Sequence, residues 1–170
     1  MKSTKHIERT LLIFKPDAVQ RGLVGEILTR FERVGLKIVG MKMLSPTREQ
    51  FHHHYEDIGK IISRRGEHTF QVVLDFMSQG PVIATVLEGV EAVEIARKLT
   101  GATEPKSAAI GTIRGDYCHI SYNRSDSEDK GVPNLVHTSA DASEADLEIK
   151  HWFSESEMFD YEAPHEKFTR

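Results

Sequence analysis

His137 is the residue whose neighbours best equip it for chemistry. It closes the run NLVH at residues 134–137, with Ser139 two positions on and Glu148 eleven positions on. A neutral imidazole is a good nucleophile near pH 7, since its ordinary pKa is about 6.5. A carboxylate carried on a following helix, such as Glu148, can fix the tautomer and orientation of the ring. Upstream, IGTIRGDY at residues 110–117 supplies two glycines, Thr112 and Arg114, a combination suited to holding an anion. A covalent intermediate on His137 would split one difficult transfer into two easier steps. If the transferred group is phosphoryl, the reaction also needs positive charge around its oxygens, from lysine, arginine or Mg2+. Taken alone, a histidine between a strand and a helix is more often an ordinary solvated side chain, so the case rests on the rest of the chain.

Other devices for phosphate or metal fail on spacing. TGATEPKS at residues 100–107 resembles a P-loop only superficially, because Pro105 stands where the glycine before Lys106 belongs. No GxGxxG run is present. His52, His53 and His54 are consecutive, and consecutive side chains on a helix point in different directions. They do not read as one metal site, and no His/Cys/Asp spacing fits zinc. His119 reads as a half-buried strand residue, and Cys118 has no neighbouring cation in sequence to activate it.

The elements that must position His137 can be read from periodicity. RTLLIFK at residues 9–15 is a buried strand, ended by Pro16-Asp17. Val24, Ile27, Leu28, Phe31 and Val34 recur at helical spacing, with Gly35 as the stop. Residues 36–44 read as a strand and residues 47–56 as a helix with Thr47 at its N-cap. Residues 57–69 are polar and irregular, and FQVVLDFM at 70–77 fits strand or helix. Residues 80–89 are a strand and 90–99 a helix, followed by a loop to 116. YCHISY at 117–122 reads as the fourth strand, 123–131 as an exposed loop, and 142–153 as a helix capped by Asp141 or Ser143. The order predicts an α+β fold, a ferredoxin-like split βαβ with a four-stranded antiparallel sheet covered by helices.

The chain has 170 residues, 39% hydrophobic and 28% charged, which fits one globular domain spanning 1–170. No apolar run approaches a membrane span, and MKSTKHIERT lacks a signal-peptide core, so the expected location is cytoplasmic. The single cysteine fits a reducing compartment. A net charge of −4 argues against nucleic acid as a partner but leaves room for a phosphate-bearing small molecule.

Five segments occur together in a known order: ERTLLIFKPDAVQRGLVGEIL (8–28), GPV (80–82), GTIRGD (111–116), NLVH (134–137) and HWF (151–153). In that combination the chain resembles the nucleoside diphosphate kinases, over a core of about residues 8–161. The resemblance implies ping-pong transfer of the γ-phosphate of a nucleoside triphosphate such as ATP to a nucleoside diphosphate, through a phosphohistidine at the pros nitrogen of His137. It implies that Lys15 contacts the transferred phosphates and that Tyr55 lies beside His137. Arg97, Thr103 and Arg114 would hold phosphates, Asn134 the sugar end, and Val73 the base. Ser139 and Glu148 would support the imidazole. Mg2+ would bridge phosphate oxygens rather than occupy a protein cage. The resemblance also implies a homo-oligomer, a hexamer rather than a tetramer.

The chain departs from the family pattern in three places. Thr138-Ser139-Ala140 replaces the usual Gly-Ser-Asp, which costs backbone freedom and moves the acid to Asp141. Residues 57–69 and 123–133 are longer than usual, an extension that loop entropy tolerates, since doubling a loop costs about 0.6 kcal/mol. The base-stacking residue is left open among His68, Thr69 and Phe70. These departures raise an alternative, a nucleotide-binding regulatory or interaction module with reduced or no transfer.

Overall fold

The computed structural model describes residues 6–170. The chain runs β1 (Ile7–Phe14), α1 (Pro16–Gln20), α2 (Val24–Arg33), β2 (Lys37–Leu44) and α3 (Arg48–His52), which continues as a π-helical turn over His53–Ile58. It proceeds through α4 (Ile61–Arg65), α5 (Glu67–Met77), β3 (Val82–Val90), α6 (Ala92–Thr100), α7 (Ile113–Tyr117), α8 (Tyr122–Ser127), β4 (Val136–Thr138), α9 (Ala142–Trp152) and α10 (Glu166–Thr169). The sheet order is β2-β3-β1-β4, antiparallel throughout. This is the ferredoxin-like arrangement expected from the element order.

Alternation along β1 decides what lies on each face. Leu11 and Ile13 point into a core with Phe51, Phe70, Leu74 and Trp152, from α3, α5 and α9. Leu12 and Phe14 point into a second core with Ile27, Phe31, Ala96 and Ile113, from α2, α6 and α7. All four β1 side chains are fully buried, each contributing about 1.5–3 kcal/mol of transfer free energy. Because β1 is buried on both faces, it reads as a continuous apolar run rather than an alternating one.

Local signals set the helix ends. Thr47 caps α3 by accepting from the Gln50 N–H, while the Gln50 side chain accepts from the Thr47 N–H. Gly35, at φ +92°, turns the chain from α2 into β2 in a conformation that costs a glycine little. Asp141, not Ser143, caps α9, accepting from the Glu144 N–H at 2.8 Å.

The fourth strand is not where periodicity put it. Residues 118–121 are irregular, His119 is exposed, and the strand that completes the sheet is Val136–Thr138. Tyr117 instead ends α7, capped by Thr112, and Tyr122 begins α8, capped by Ser121. Two hydroxyl caps thus override a short run of apolar and polar residues that mimics a strand. Two other segments also gain structure: part of the expected loop at 123–131 belongs to α8, and residues 67–77 form the single helix α5.

Candidate active site

His137 sits on β4 opposite Ile13, on the face of the sheet covered by α9. The antiparallel register brings Lys15, one residue beyond β1, against Leu135, whose carbonyl accepts from the Lys15 N–H at 2.8 Å. The strand pair therefore places an imidazole and an ammonium at the same sheet end. Both line a cavity of about 820 Å³ that Tyr55, Val73, Arg97, Thr103, Arg114 and Asn134 also line.

The His137 ring is held from behind. Its Nε2 lies 2.6 Å from Glu148 Oε1, and the other Glu148 oxygen accepts from Ser139 Oγ at 2.6 Å. Ser139 Oγ in turn accepts from the Leu11 N–H at 3.2 Å, which ties the carboxylate to the sheet. Glu148 is 1% exposed. Burial pushes its carboxyl up, but the adjacent His137 ring and the hydrogen bonds from His137 and Ser139 outweigh that and hold it at about 2. An ionised carboxylate only accepts, so Nε2 carries the proton and Nδ1 keeps a free lone pair. That is the tautomer a pros-nitrogen nucleophile needs.

The cations facing the ring are set by burial as well as by sequence. Lys15 Nζ donates to Asn134 Oδ1 at 2.7 Å. Burial, with the Arg114 guanidinium next, lowers the Lys15 ammonium to about 8. Arg114 is 7% exposed and donates to three backbone carbonyls, Asn134 at 3.1 Å, Gly101 at 3.0 Å and Val136 at 2.6 Å. A guanidinium has five N–H groups, so two remain for an anion. Burial lowers it to about 10, which still leaves it charged. Arg97, on α6, is exposed and has no hydrogen-bond or ion-pair partner among the described residues. Its guanidinium is free to meet a ligand.

Of the other expected contacts, Asn134 is partly committed within the chain and Tyr55 is not. The Asn134 amide bridges Lys15 and the Thr103 carbonyl, accepting from the first and donating at 2.9 Å to the second. It positions a cation and a loop, and keeps one N–H for a ligand. Tyr55, in the π-helical turn, has its ring centroid 6.4 Å from that of His137 and a buried hydroxyl without a partner. Burial and the Glu148 charge raise that phenol well above its ordinary range, so it acts as a neutral donor.

The remaining departures resolve structurally. Thr138 belongs to β4 and does not have a positive φ, so a β-branched residue suits the position and no glycine is needed. Phe70 is 1% exposed in the core, which removes it from the base-stacking candidates; His68 and Thr69 line the cavity. The two longer segments meet each other across the cavity mouth. His68 pairs with Asp129 at 2.7 Å, and Arg65 lies over the Tyr122 ring at 5.6 Å. Gly131 allows this approach: a Cβ there would lie 2.5 Å from the Phe76 Cβ.

Sequence reasoning missed two residues of the site. Glu144 lines the cavity and accepts from the Ala140 N–H at 3.3 Å, so the acid facing this end is Glu144 and not the cap Asp141. Its i, i+4 spacing from Glu148 was the available signal. Burial and the Glu148 charge raise its carboxyl. The second is His54, 1% exposed and packed against His137, while His52 and His53 point outward. His54, His137 and Glu148 present ligand atoms within 4.8 Å of one another. The 2.6 Å from His137 to Glu148 is nevertheless hydrogen-bond spacing. Two ligands on a tetrahedral metal with bonds near 2.0–2.1 Å would stand more than about 3 Å apart. The cluster is arranged around a proton.

Comparison with known proteins settles which family uses this arrangement. The family profile "Nucleoside diphosphate kinase" matches residues 8–158. The chain belongs to the nucleoside diphosphate kinase family. Its members are phosphotransferases. The nucleoside diphosphate kinase of Borreliella burgdorferi is 43% identical over 157 residues, covering 91% of this chain and 92% of the relative. A solved structure described as a transition state mimic of that organism's enzyme, with bound vanadate and ADP, superposes with a TM-score of 0.93 at 41% identity. It covers 96% of this chain and 97% of that one. A halophilic member from Halobacterium salinarum, in complex with CDP, gives 0.80 at 37% identity, covering 96% and 98%. Among the described residues no helix is long and apolar enough to cross a membrane.

Proposed function

We propose that this chain carries out the family reaction through His137: Nδ1 attacks the γ-phosphorus of a nucleoside triphosphate such as ATP. The P–Nδ1 bond forms as the bond to the bridging oxygen breaks, and that oxygen leaves with the electron pair on the nucleoside diphosphate. A terminal phosphate oxygen of a second nucleoside diphosphate then attacks the phosphorus, and Nδ1 recovers its lone pair. The observation that carries the reading is the 2.6 Å Nε2–Glu148 bond, which leaves Nδ1 as the free nitrogen of a ring lining a cationic cavity. As the ring gains charge, Glu148 stabilises the Nε2–H, in the way a buried carboxylate orients a catalytic imidazole. Lys15, Arg97 and Arg114 neutralise the phosphate oxygens, the main demand of phosphoryl transfer. Tyr55 donates from beside the ring, Thr103 and Asn134 hold the phosphate and sugar end, and Val73 lines the base.

The site fits a Mg2+ carried in on the nucleotide. Glu144 is a half-buried carboxylate at this end of the cavity, accepting from the Ala140 N–H and raised by burial and the Glu148 charge. It suits the water shell of an ion held mainly by phosphate oxygens. When bound, Mg2+ would neutralise charge on the polyphosphate. A cytoplasmic location and a homo-oligomer, hexamer rather than tetramer, complete the reading. Support for assembly is the outer strand β2: its Val39 carbonyl is covered by the Phe159 N–H, but Met41 and Met43 further along it are 44% and 59% exposed. The alternative of a binding module without transfer loses its main support, because Thr138 sits unstrained in β4.

Labelling with γ-labelled ATP tests the proposal. Wild-type protein stripped of nucleotide is expected to retain an acid-labile, base-stable label that His137→Ala lacks. Unlabelled wild-type protein would overturn it.

A further inference from the structure

His54 stands directly behind the proposed nucleophile. Its ring is edge-on to His137, with centroids 4.6 Å apart and planes at 80°. Its Nδ1 accepts from the Trp152 indole N–H at 3.2 Å. An indole N–H can only donate, so Nδ1 is unprotonated and the proton of the neutral ring sits on Nε2. The same Nδ1 lies 3.5 Å from Glu148 Oε1, the oxygen that holds His137. That lone pair is engaged by Trp152 and Nδ1 carries no proton, so a neutral His54 donates nothing to Oε1 there and takes nothing from the bond between Glu148 and His137. A protonated His54 would do the opposite, competing for Oε1 and setting a second positive charge against the ring that must attack.

Several observations distinguish this from simple core filling. The Nε2–H of His54 is buried without a partner, an arrangement that an apolar ring of similar size would avoid. Such unpartnered groups concentrate where a site needs the polar atom. The groups facing His54 come from every element around it: Glu148 and His151 on α9, His137 on β4, Lys15 beyond β1, and Tyr55 beside it in the π-helical turn. Burial, then the neighbouring His137, holds the imidazole well below its ordinary range, against the pull of Glu148. The π-helical turn makes the placement possible, because its wider winding lets His54 and Tyr55 both line the cavity.

We propose that His54 is a positioning residue for phosphoryl transfer: an imidazole whose tautomer Trp152 fixes, which braces the His137 ring and reserves Glu148 for it. The inference rests on the phosphohistidine reading of His137. Trp152 is then the third member of a chain running from α9 through His54 to the nucleophile. Its indole fixes the His54 tautomer, and the tautomer keeps the Glu148 oxygen undivided.

The test is a cycle of His54→Asn, Trp152→Phe and the double variant, each compared with wild type. An Asn Oδ1 can take the place of Nδ1 and accept from Trp152, but provides no ring against His137. The readouts are the single-turnover rate of His137 phosphorylation at saturating ATP, the KM for ATP, the pH profile of the rate, and the 15N spectrum of His137. Each single variant is expected to lower the saturating rate by about tenfold, a small misplacement of the reacting atom, with KM within about twofold. The Trp152→Phe variant frees Nδ1 for a proton, so the acid limb of its pH profile moves to higher pH. The double variant is expected to be no slower than His54→Asn, because Trp152 acts through His54. In His54→Asn the 15N spectrum is expected to show His137 losing its uniform Nε2–H form.

A folded His54→Asn variant with the wild-type rate and pH profile would overturn the inference, as would rate losses that multiply in the double variant. If His54→Asn does not fold, His54→Gln, which likewise offers an acceptor and no ring, replaces it, with the same expected loss of rate and the same overturning result. A wild-type protein that takes no label fails the phosphohistidine reading and this inference with it. Normal wild-type labelling with an unaffected His54→Asn fails this inference alone.

Discussion

Replacing Lys15 with Met is expected to stabilise the protein at neutral pH while disabling it. Burial holds the Lys15 ammonium at about 8 instead of 10.5. That difference corresponds to about 3 kcal/mol at about 1.4 kcal/mol per pH unit, the cost of keeping the group charged in the folded state. The sign follows from linkage. Between about 8 and 10.5 the unfolded chain binds more protons than the folded one, so wild-type stability rises with pH across that window. Below about 8 the cost is present in full; above 10.5 it is gone. Met fills the same channel without charge. It leaves Asn134 Oδ1 without its donor, which costs about 1–3 kcal/mol. The net gain at pH 7 is therefore between about zero and 2 kcal/mol, but the Asn134 loss is the same at every pH and cancels in a comparison across pH.

Urea denaturation of both proteins at pH 7 and pH 10.5 measures this directly. The stability difference is expected to move by about 2–3 kcal/mol in favour of wild type between the two pH values. Transfer activity is expected to fall by about 10²–10³, the usual loss when one group stabilising transition-state charge is removed. A stability difference independent of pH would refute the argument that Lys15 is held charged against its burial.

Other perturbations bear on the same geometry. Glu148→Gln keeps the shape but can donate to His137 Nε2, favouring the Nδ1–H tautomer; the phosphorylation rate is expected to fall by about 10–100-fold with little change in KM. Ser139→Ala removes the link from Leu11 to Glu148 and is expected to cost about 1–3 kcal/mol in urea denaturation, together with a lower rate. Burial pushes Glu88 up, but hydrogen bonds from Arg9, Arg170 and Lys37 prevail and hold it at about 2, so its contribution is present above the usual carboxylate range and is lost as pH falls toward about 2. Hydrogen exchange is therefore expected to show α10, tied to this cluster through Lys37 and Arg170, opening at low pH before the sheet does.

The sequence determined much of this protein. β1 is legible as a continuous apolar run, α2, β2, β3, α6 and α9 through their hydrophobic patterning, and Thr47 and Gly35 mark ends through local chemistry. His137, Glu148 and Ser139 are close enough in sequence for a strand and the next helix to bring them together. Lys15 and Arg114 could be named as candidates, but only the antiparallel register brings Lys15, and bonds from α7 to the Asn134, Gly101 and Val136 carbonyls bring Arg114, to one sheet end. The fourth strand was misplaced because three residues of β4 carry too little pattern to compete with YCHISY, whose two end residues belong to α7 and α8. His54 was illegible for a different reason. Its identity as the buried member of a histidine run, its tautomer and its relation to Glu148 depend on Trp152, 98 residues away, arriving on a separate helix. Residue type and spacing thus singled out His137 as the proposed nucleophile. The packing of α9 and the π-helical turn against the sheet decided its tautomer, its neighbours' charges and the acid, Glu144, that faces it, because burial and hydrogen-bond partners exist only once distant elements meet.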